Sequence, residues 1–130
     1  MSTMTGGCLC GQLRYEISGQ ADCTVHCHCR ACRRTTGAAI STWTTVAIEN
    51  FHVTQGEPET YSSTDKCTRQ FCPVWGSQIA FQHEEYEGYV DVAVGSLDNP
   101  DTMPPERHLW FARQISWTQI DSHLPKAQEA

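Results

Sequence analysis

Apolar and polar residues alternate with a period of two in several short segments of the chain, which is the pattern of half-buried β-strands. The clearest early segment has Leu13, Tyr15 and Ile17 on one side and polar residues between them. Later segments rich in β-branched or aromatic residues are bounded by turn residues. They cover 40–48, 51–53, 79–81 and 90–94, with weaker candidates at 109–111 and 115–117. We therefore predict a mainly β fold of small antiparallel sheets.

Helix is expected to contribute little to this fold. No segment shows an apolar stripe over three helical turns, and the one short helix that we predict covers 30–36, with Gly37 as its left-handed cap. At 130 residues the chain is long enough for one domain with its own core. We assign 1–125 to that domain and expect 126–130 to form a loose C-terminal tail.

Charge and hydropathy restrict the classes of partner. The formal net charge of −6 argues against nucleic acid or an anionic membrane surface as the main partner. No apolar run approaches the length of a membrane span. The first residues have neither the basic nor the apolar region of a secretory signal, so we expect a cytoplasmic protein. In a reducing compartment, the eight cysteines indicate metal binding better than a disulfide framework.

Cys27, Cys29 and Cys32 form the strongest chemical signal, because C-x-C-x-x-C spacing brings three thiolates to one point. A tetrahedral Zn²⁺ ion held there keeps a fourth position free, as in catalytic sites. The alternative is a closed structural site whose fourth ligand is His26, His28, Cys23 or Cys67. Arg33 and Arg34 follow directly and would attract an anion on a protein that is otherwise acidic.

A second set of cysteines is less complete. Cys8 and Cys10 lie among glycines, which allow the backbone to curl around a metal ion. Cys72 begins a C-P-x-C-type knuckle in which Trp75 occupies the place of the second cysteine. The indole nitrogen only donates hydrogen bonds and cannot bind the metal. Cys67 could substitute for the missing ligand, or it could be a free thiol with no role.

The tryptophans Trp43, Trp110 and Trp117 are expected in the core rather than on a substrate platform. For His108, which precedes an apolar segment, a packing or surface role is favoured over a place in the metal cleft.

Three motifs resemble the glutathione-dependent formaldehyde-activating enzyme family, which includes centromere protein V. They are GGCLCG at 6–11 with Arg14 and Tyr15, CHCRACRR at 27–34 with Gly37, and FCP at 71–73. The C-terminal region also fits the pattern, and the resemblance covers nearly the whole chain. It implies a β-tent fold of small coiled sheets with two zinc ions.

In the family, a structural zinc is held by the cysteines that match Cys8, Cys10 and Cys72 together with a fourth. The catalytic zinc is held by those that match Cys27, Cys29 and Cys32. This chain departs from the pattern at Trp75, which leaves the structural zinc in doubt. Water, Cys67 or another side chain would have to complete the site, or packing of Trp75 would replace the metal.

The family reaction implied is addition of the glutathione thiol to formaldehyde, which gives S-hydroxymethylglutathione. Because the reverse reaction breaks a carbon–sulfur bond, the enzyme class is carbon–sulfur lyase. Glutathione is then the co-substrate and a small aldehyde the second substrate, with Arg33 and Arg34 as partners for the glutathione carboxylates. The alternatives are a non-catalytic, zinc-stabilised protein-binding module and a thiol or metal sensor.

Overall fold

The computed structural model describes residues 3–129 and consists mainly of β-strands. The strands are β1 (Thr3–Gly7), β2 (Arg14–Ser18), β3 (Cys23–Cys27), β4 (Ser41–Ala47), β5 (Phe51–Gln55), β6 (Glu59–Thr64), β7 (Cys67–Phe71), β8 (Gln78–His83), β9 (Tyr89–Ala93) and β10 (Arg107–Leu109). One α-helix, α1 (Arg30–Thr36), follows β3. Short 3₁₀ turns lie at Ile48–Asn50, Glu84–Tyr86, Val94–Ser96, Pro100–Thr102 and Phe111–Arg113. The predicted mainly β fold is confirmed.

The strands form two sheets. The smaller sheet has the order β1-β2-β5 and is antiparallel. The larger sheet has the order β10-β3-β4-β9-β8-β7-β6, and its strands pair antiparallel except for β10, which lies parallel to β3. Within residues 3–129, no helix is long and apolar enough to cross a membrane.

The main core lies between the two sheets. Tyr15 and Ile17 of β2 are 1% and 0% exposed, and they belong to the same buried cluster as Val46, Val90 and Val92 of the larger sheet. Burying an aliphatic side chain of this size contributes roughly 1.5–3 kcal/mol. The alternation that predicted β2 and β9, and the β-branched residues that predicted β4, therefore mark residues that join the sheets.

A second, smaller core lies on the opposite face of the larger sheet. It contains Cys27, Cys32 and Trp43, with Phe81 and Trp110 packed against it. Side chains alternate between the two faces of a strand. Trp43 of β4 therefore points away from the main core, and Cys27 of β3 lies on the same face as Trp43. The cysteine cluster is therefore supported by a rigid sheet face.

Helix α1 has the predicted bounds. The Cys29 side chain accepts a hydrogen bond from the Cys32 backbone N–H at the helix start. Gly37 ends the helix with φ 72°, a left-handed conformation that glycine adopts without steric cost. Cys32 is the buried residue of the helix.

The C-terminal segment differs in part from the sequence-based expectation. Residues 126–129 of the predicted loose tail are held by backbone hydrogen bonds, including Ala127 N–H to His108 C=O at 2.9 Å and Trp110 N–H to Glu129 C=O at 2.8 Å. Residue 130 of that tail lies outside the described residues, and the boundary at 125 stays a prediction. The weak strand predicted at 115–117 is wrong, because this segment forms turns. Trp117, expected in the core, is 71% exposed.

Candidate metal centre

The structure brings Cys27, Cys29 and Cys32 together at the junction of β3 and α1. Cys27 is the last residue of β3, Cys29 caps α1, and Cys32 lies in its first turn. Their sulfur atoms all lie within 4.8 Å of one another. The three candidate ligands therefore need no rearrangement of the backbone to meet at one point.

The donor set fits a zinc ion. Three thiols, two of them buried, match the soft ligands that Zn²⁺ takes in proteins. Hydrogen bonds from the Cys27 and Cys32 thiols lower the pKa of Cys29. The corresponding contacts with Cys29 and Cys32, together with burial, raise the pKa of Cys27. These contacts favour a thiolate at Cys29 over one at Cys27. The assignment of these cysteines as ligands stays a prediction.

None of the alternative fourth ligands joins this group within the described residues. His26 bonds Thr42 and Asp121, at 2.8 Å and 2.7 Å. His28 is directed away from the cluster, toward His108. The three-sulfur arrangement therefore remains open in the described part of the chain.

Arg69 of β7 lies beside the cluster, although its sequence gave no indication of this. It is 4% exposed, and its Nη2 lies 4.0 Å from the Cys32 sulfur. Its guanidinium carbon lies 4.6 Å from the centre of the Phe81 ring. Within residues 3–129, its buried Nε and Nη1 have no hydrogen-bond partner. A buried cation without a carboxylate partner is costly, so deprotonated thiols are the anions available to offset it.

Asp91 is an ionisable group on the same sheet face. Its register partner in β8 is Phe81, whose own partner in β7 is Arg69. Burial raises the pKa of Asp91, although Thr45 Oγ1 donates a hydrogen bond to its carboxylate at 2.5 Å. The negative charge of Cys32 acts in the same direction. Asp91 is therefore a carboxyl group that holds a proton more readily than usual, beside a cluster of thiols.

The second predicted group, Cys8, Cys10 and Cys72, is also assembled. These sulfur atoms lie within 4.8 Å of one another, and Cys10 Sγ is 3.6 Å from Cys72 Sγ. For a tetrahedral site with Zn–S bonds of about 2.3 Å, the expected sulfur–sulfur separation is about 3.8 Å. The donors therefore fit zinc here as well.

The residues considered as substitutes for the missing fourth ligand of this second group lie at different places around it. Trp75 is 62% exposed. Cys67 lies at the opposite end of β7 from Cys72, five residues or about 17 Å away along the strand. Ser77 Oγ, by contrast, is 3.0 Å from Cys8 Sγ. Burial opposes the change, but the Ser77 hydroxyl and the Cys10 backbone, as hydrogen-bond partners, lower the pKa of Cys8 to about 7.

A cleft of about 530 Å³ is lined by residues that contact the two cysteine groups, although none of the six cysteines lines it. Trp43 and Ala93, which pack against the Cys27 cluster, form one part of its wall, and Ser77 forms another. Its lining within the described residues carries no charged side chain. Arg33 is half-buried and Arg34 is exposed, and neither lines the cleft, so their role as carboxylate partners stays a prediction.

Three buried histidines lie on the other face of β3. His28 Nε2 is 2.8 Å from His108 Nδ1, and His108 Nε2 is 2.9 Å from the Asp121 carbonyl oxygen. His26 also binds Asp121, through its carboxylate. The packing role favoured for His108 is consistent with its 1% exposure. These contacts fix the backbone of the Cys27–Cys29 segment from behind.

Comparison with known proteins adds three findings. A sequence model of the family described as "Glutathione-dependent formaldehyde-activating enzyme" matches residues 3–113. A crystal structure of a Rhodobacter sphaeroides protein, solved as a Northeast Structural Genomics target, is similar with a TM-score of 0.62. It is 18% identical and covers 95% of this chain and 100% of its own, which shows a shared fold. The comparison with curated proteins gave no match.

Proposed function

This chain belongs to the glutathione-dependent formaldehyde-activating enzyme family, and from that premise we propose that it joins a thiol such as glutathione to formaldehyde or a related small aldehyde. The proposed class is carbon–sulfur lyase, acting in the cytoplasm. The observation that supports this most directly is the Cys27–Cys29–Cys32 group, whose three sulfur atoms lie within 4.8 Å of one another beside a buried arginine.

The three thiolates would hold the zinc ion. When bound, zinc supplies a soft cationic centre that favours the thiolate form of a further sulfur compound. Arg69 supplies the positive charge that offsets the excess of thiolates in a buried site. Trp43 and Phe81 limit water around the sulfur atoms, because both pack in the same apolar cluster.

The reaction itself is an addition. The thiolate sulfur attacks the carbonyl carbon, a C–S bond forms, and the C=O π electrons move to oxygen as an alkoxide. The alkoxide then takes a proton, which balances the one lost by the thiol. Solvent water supplies this proton, because the cleft lining within the described residues contains no Asp or Glu.

Binding of the thiol compound would use the cleft. Its uncharged wall is partly apolar and offers hydroxyl and amide groups to the peptide groups of glutathione, including the hydroxyl of Thr36 at the end of α1. Arg33 and Arg34 precede Thr36 in the same helix, and we propose that they bind the glutathione carboxylates at the cleft edge.

Exchange NMR with ¹³C-labelled formaldehyde and glutathione tests the proposal, because it measures catalysis of a reaction that also proceeds unaided. We expect added protein to accelerate exchange, and Cys29→Ser to reduce the rate to the uncatalysed value. Cys67→Ser is the matched control, since it removes a half-buried thiol that belongs to neither group. If the Cys29→Ser variant is folded and retains full activity, the proposed site is wrong. A protein that binds zinc but never accelerates exchange would favour the binding-module or sensor interpretation.

A further inference from the structure

The Cys8–Cys10–Cys72 group has the backbone turns of a closed four-cysteine zinc site but only three of its four cysteines. Both knuckle turns are intact: Gly11 N–H donates to Cys8 C=O at 2.9 Å, and Gly76 N–H donates to Cys72 C=O at 2.6 Å. The backbone that curls around a metal ion is therefore preserved. What has changed is one donor, because residue 75 presents an indole in place of a thiol.

The Trp75 side chain does not fill the position of the missing fourth ligand. It is 62% exposed, and it therefore does not replace the metal as a core residue would. Among residues 3–129, no fourth Cys, His, Asp or Glu comes within ligand distance of the group. The polar side chain that borders the sulfur atoms is Ser77, whose hydroxyl is a weak neutral donor beside Cys8.

Ser77, which lies 3.0 Å from the Cys8 sulfur, is part of the wall of the cleft described above. Trp75 and Ser77 line one side of the 530 Å³ cleft, and Trp43 and Ala93 line another. Cys10 is only half-buried, so the group is accessible to small molecules. A closed structural site would instead be shielded by its own ligands.

We propose that the Cys8–Cys10–Cys72 group is a second open zinc site, whose fourth position takes a low-molecular-weight thiol that enters through the cleft lined by Ser77. The thiol loses its proton to solvent as its sulfur binds, and the Ser77 hydroxyl hydrogen-bonds the incoming sulfur or the water that it replaces. The chain then has two metal sites that can bind an added thiol. A fourth cysteine at position 75 would close the second site and leave only the Cys27 group. This proposal does not depend on turnover at the Cys27 group.

Cobalt substitution isolates the second site. In Cys29→Ser protein the Cys27 group loses a ligand, so bound Co²⁺ reports mainly on the Cys8 group. Titration with 2-mercaptoethanol is expected to strengthen the sulfur-to-cobalt charge-transfer absorption by about one third, as three thiolates become four. Trp75→Cys in the same background should abolish this response, because the protein itself then supplies the fourth sulfur. Val74→Cys is the matched control, with an exposed cysteine at the wrong knuckle position, and should retain the response.

X-ray absorption on otherwise unmodified zinc-loaded protein gives a second measurement that does not need the Cys29→Ser variant. Without thiol, both sites should average three sulfur ligands; Trp75→Cys should raise that average by one half. The proposal is overturned if the protein binds one zinc per chain and Cys29→Ser binds none. It is also overturned if thiol leaves the cobalt spectrum of the Cys8 group unchanged. Because the cobalt titration in Cys29→Ser protein excludes the Cys27 group, it separates failure here from failure of the proposed reaction.

Discussion

Arg69 Nη2 lies 4.0 Å from Cys32 Sγ, so a buried guanidinium approaches a buried sulfur across 37 positions of sequence. The arginine comes from β7 and the cysteine from α1, and neither strand pairing nor helix geometry requires them to meet. With protonated thiols this cation has no anionic partner. With thiolates present it becomes a counter-ion, so its contribution to stability depends on the state of the cluster.

Arg69→Met should therefore affect the metal-free protein less than the zinc-loaded protein. In the metal-free protein the charge of Arg69 faces one thiolate, at Cys29, so its removal should change the free energy of unfolding by no more than about 1 kcal/mol. The same change should weaken zinc binding at the Cys27 group about 10–100-fold, as loss of an outer partner of metal ligands does. Chemical denaturation and competition with a zinc chelator measure the two effects. Arg69→Lys, which retains the charge, is the control and should keep most of the zinc affinity. Equal losses in both forms would indicate a packing role only.

Tyr15 should make the free energy of unfolding depend on pH, whether or not metal is bound. Its hydroxyl lies 2.6 Å from Ser96 Oγ, and burial raises its pKa to about 12. In the unfolded chain the phenol ionises near pH 10, so between pH 10 and 12 the folded state binds more protons than the unfolded state. Stability should be fully present below pH 10 and fall by about 3 kcal/mol as the pH rises to 12.

Tyr15→Phe isolates this effect. The variant should lose about 1 kcal/mol at neutral pH, because the hydrogen bond with Ser96 is removed. Between pH 10 and 12 its free energy of unfolding should fall less steeply than that of the unmodified chain. Denaturant titrations at each pH provide the comparison, and parallel curves for the two proteins would show that Tyr15 does not cause the alkaline loss.

The parts of the fold that could be predicted are those with one face in the core and one face outside. β2 has that pattern, and Arg30–Thr36 has a helix cap that can be identified from Gly37. β6 is exposed along its whole length, and β3 is buried from Thr24 to Cys27, so neither alternates. Without alternation, the period-two signal is lost.

In the candidate site, residues close together in the sequence could be predicted, and a residue brought in from a distant strand could not. The close spacing of Cys27, Cys29 and Cys32 indicates a cluster, because a few residues of chain are enough to bring them together. Arg69 lies in a polar strand whose sequence, Cys67–Phe71, gives no sign of burial. Its position follows from the order of the seven-stranded sheet, which the sequence pattern does not specify.

His108 is expected to stabilise the Cys27–Cys29 segment through His28. His108→Phe removes the group 2.8 Å from His28 Nε2, and His28 Nδ1 already lacks a partner in the described structure. A buried ring with neither nitrogen satisfied should cost about 1–3 kcal/mol. Thermal or chemical unfolding measures this loss. His52→Phe, at an exposed strand position, should leave stability within about 0.5 kcal/mol of the unmodified protein. Similar losses in both variants would contradict a specific role for the His28–His108 pair.

Gly6 is required for close packing rather than for backbone curvature. Its φ is not in the left-handed region, unlike that of Gly11, where φ is 79°. A Cβ added at Gly6 would lie 2.5 Å from both the Ser96 carbonyl oxygen and the Tyr15 hydroxyl. Gly6→Ala must therefore push β1 away from the Val94–Ser96 turn, at a cost of about 1–3 kcal/mol.

Gly95→Ala is the matched control for this change, because a Cβ at Gly95 meets no atom within 4 Å and its φ is unstrained. We expect Gly95→Ala to leave the denaturation midpoint nearly unchanged while Gly6→Ala lowers it. Since β1 leads directly into Cys8, the displacement should also weaken zinc binding at the Cys8–Cys10–Cys72 group more than at the Cys27 group. Chelator competition on the two variants measures that difference. A Gly6→Ala protein with unchanged stability and unchanged zinc affinity would show that this contact does not fix the first knuckle.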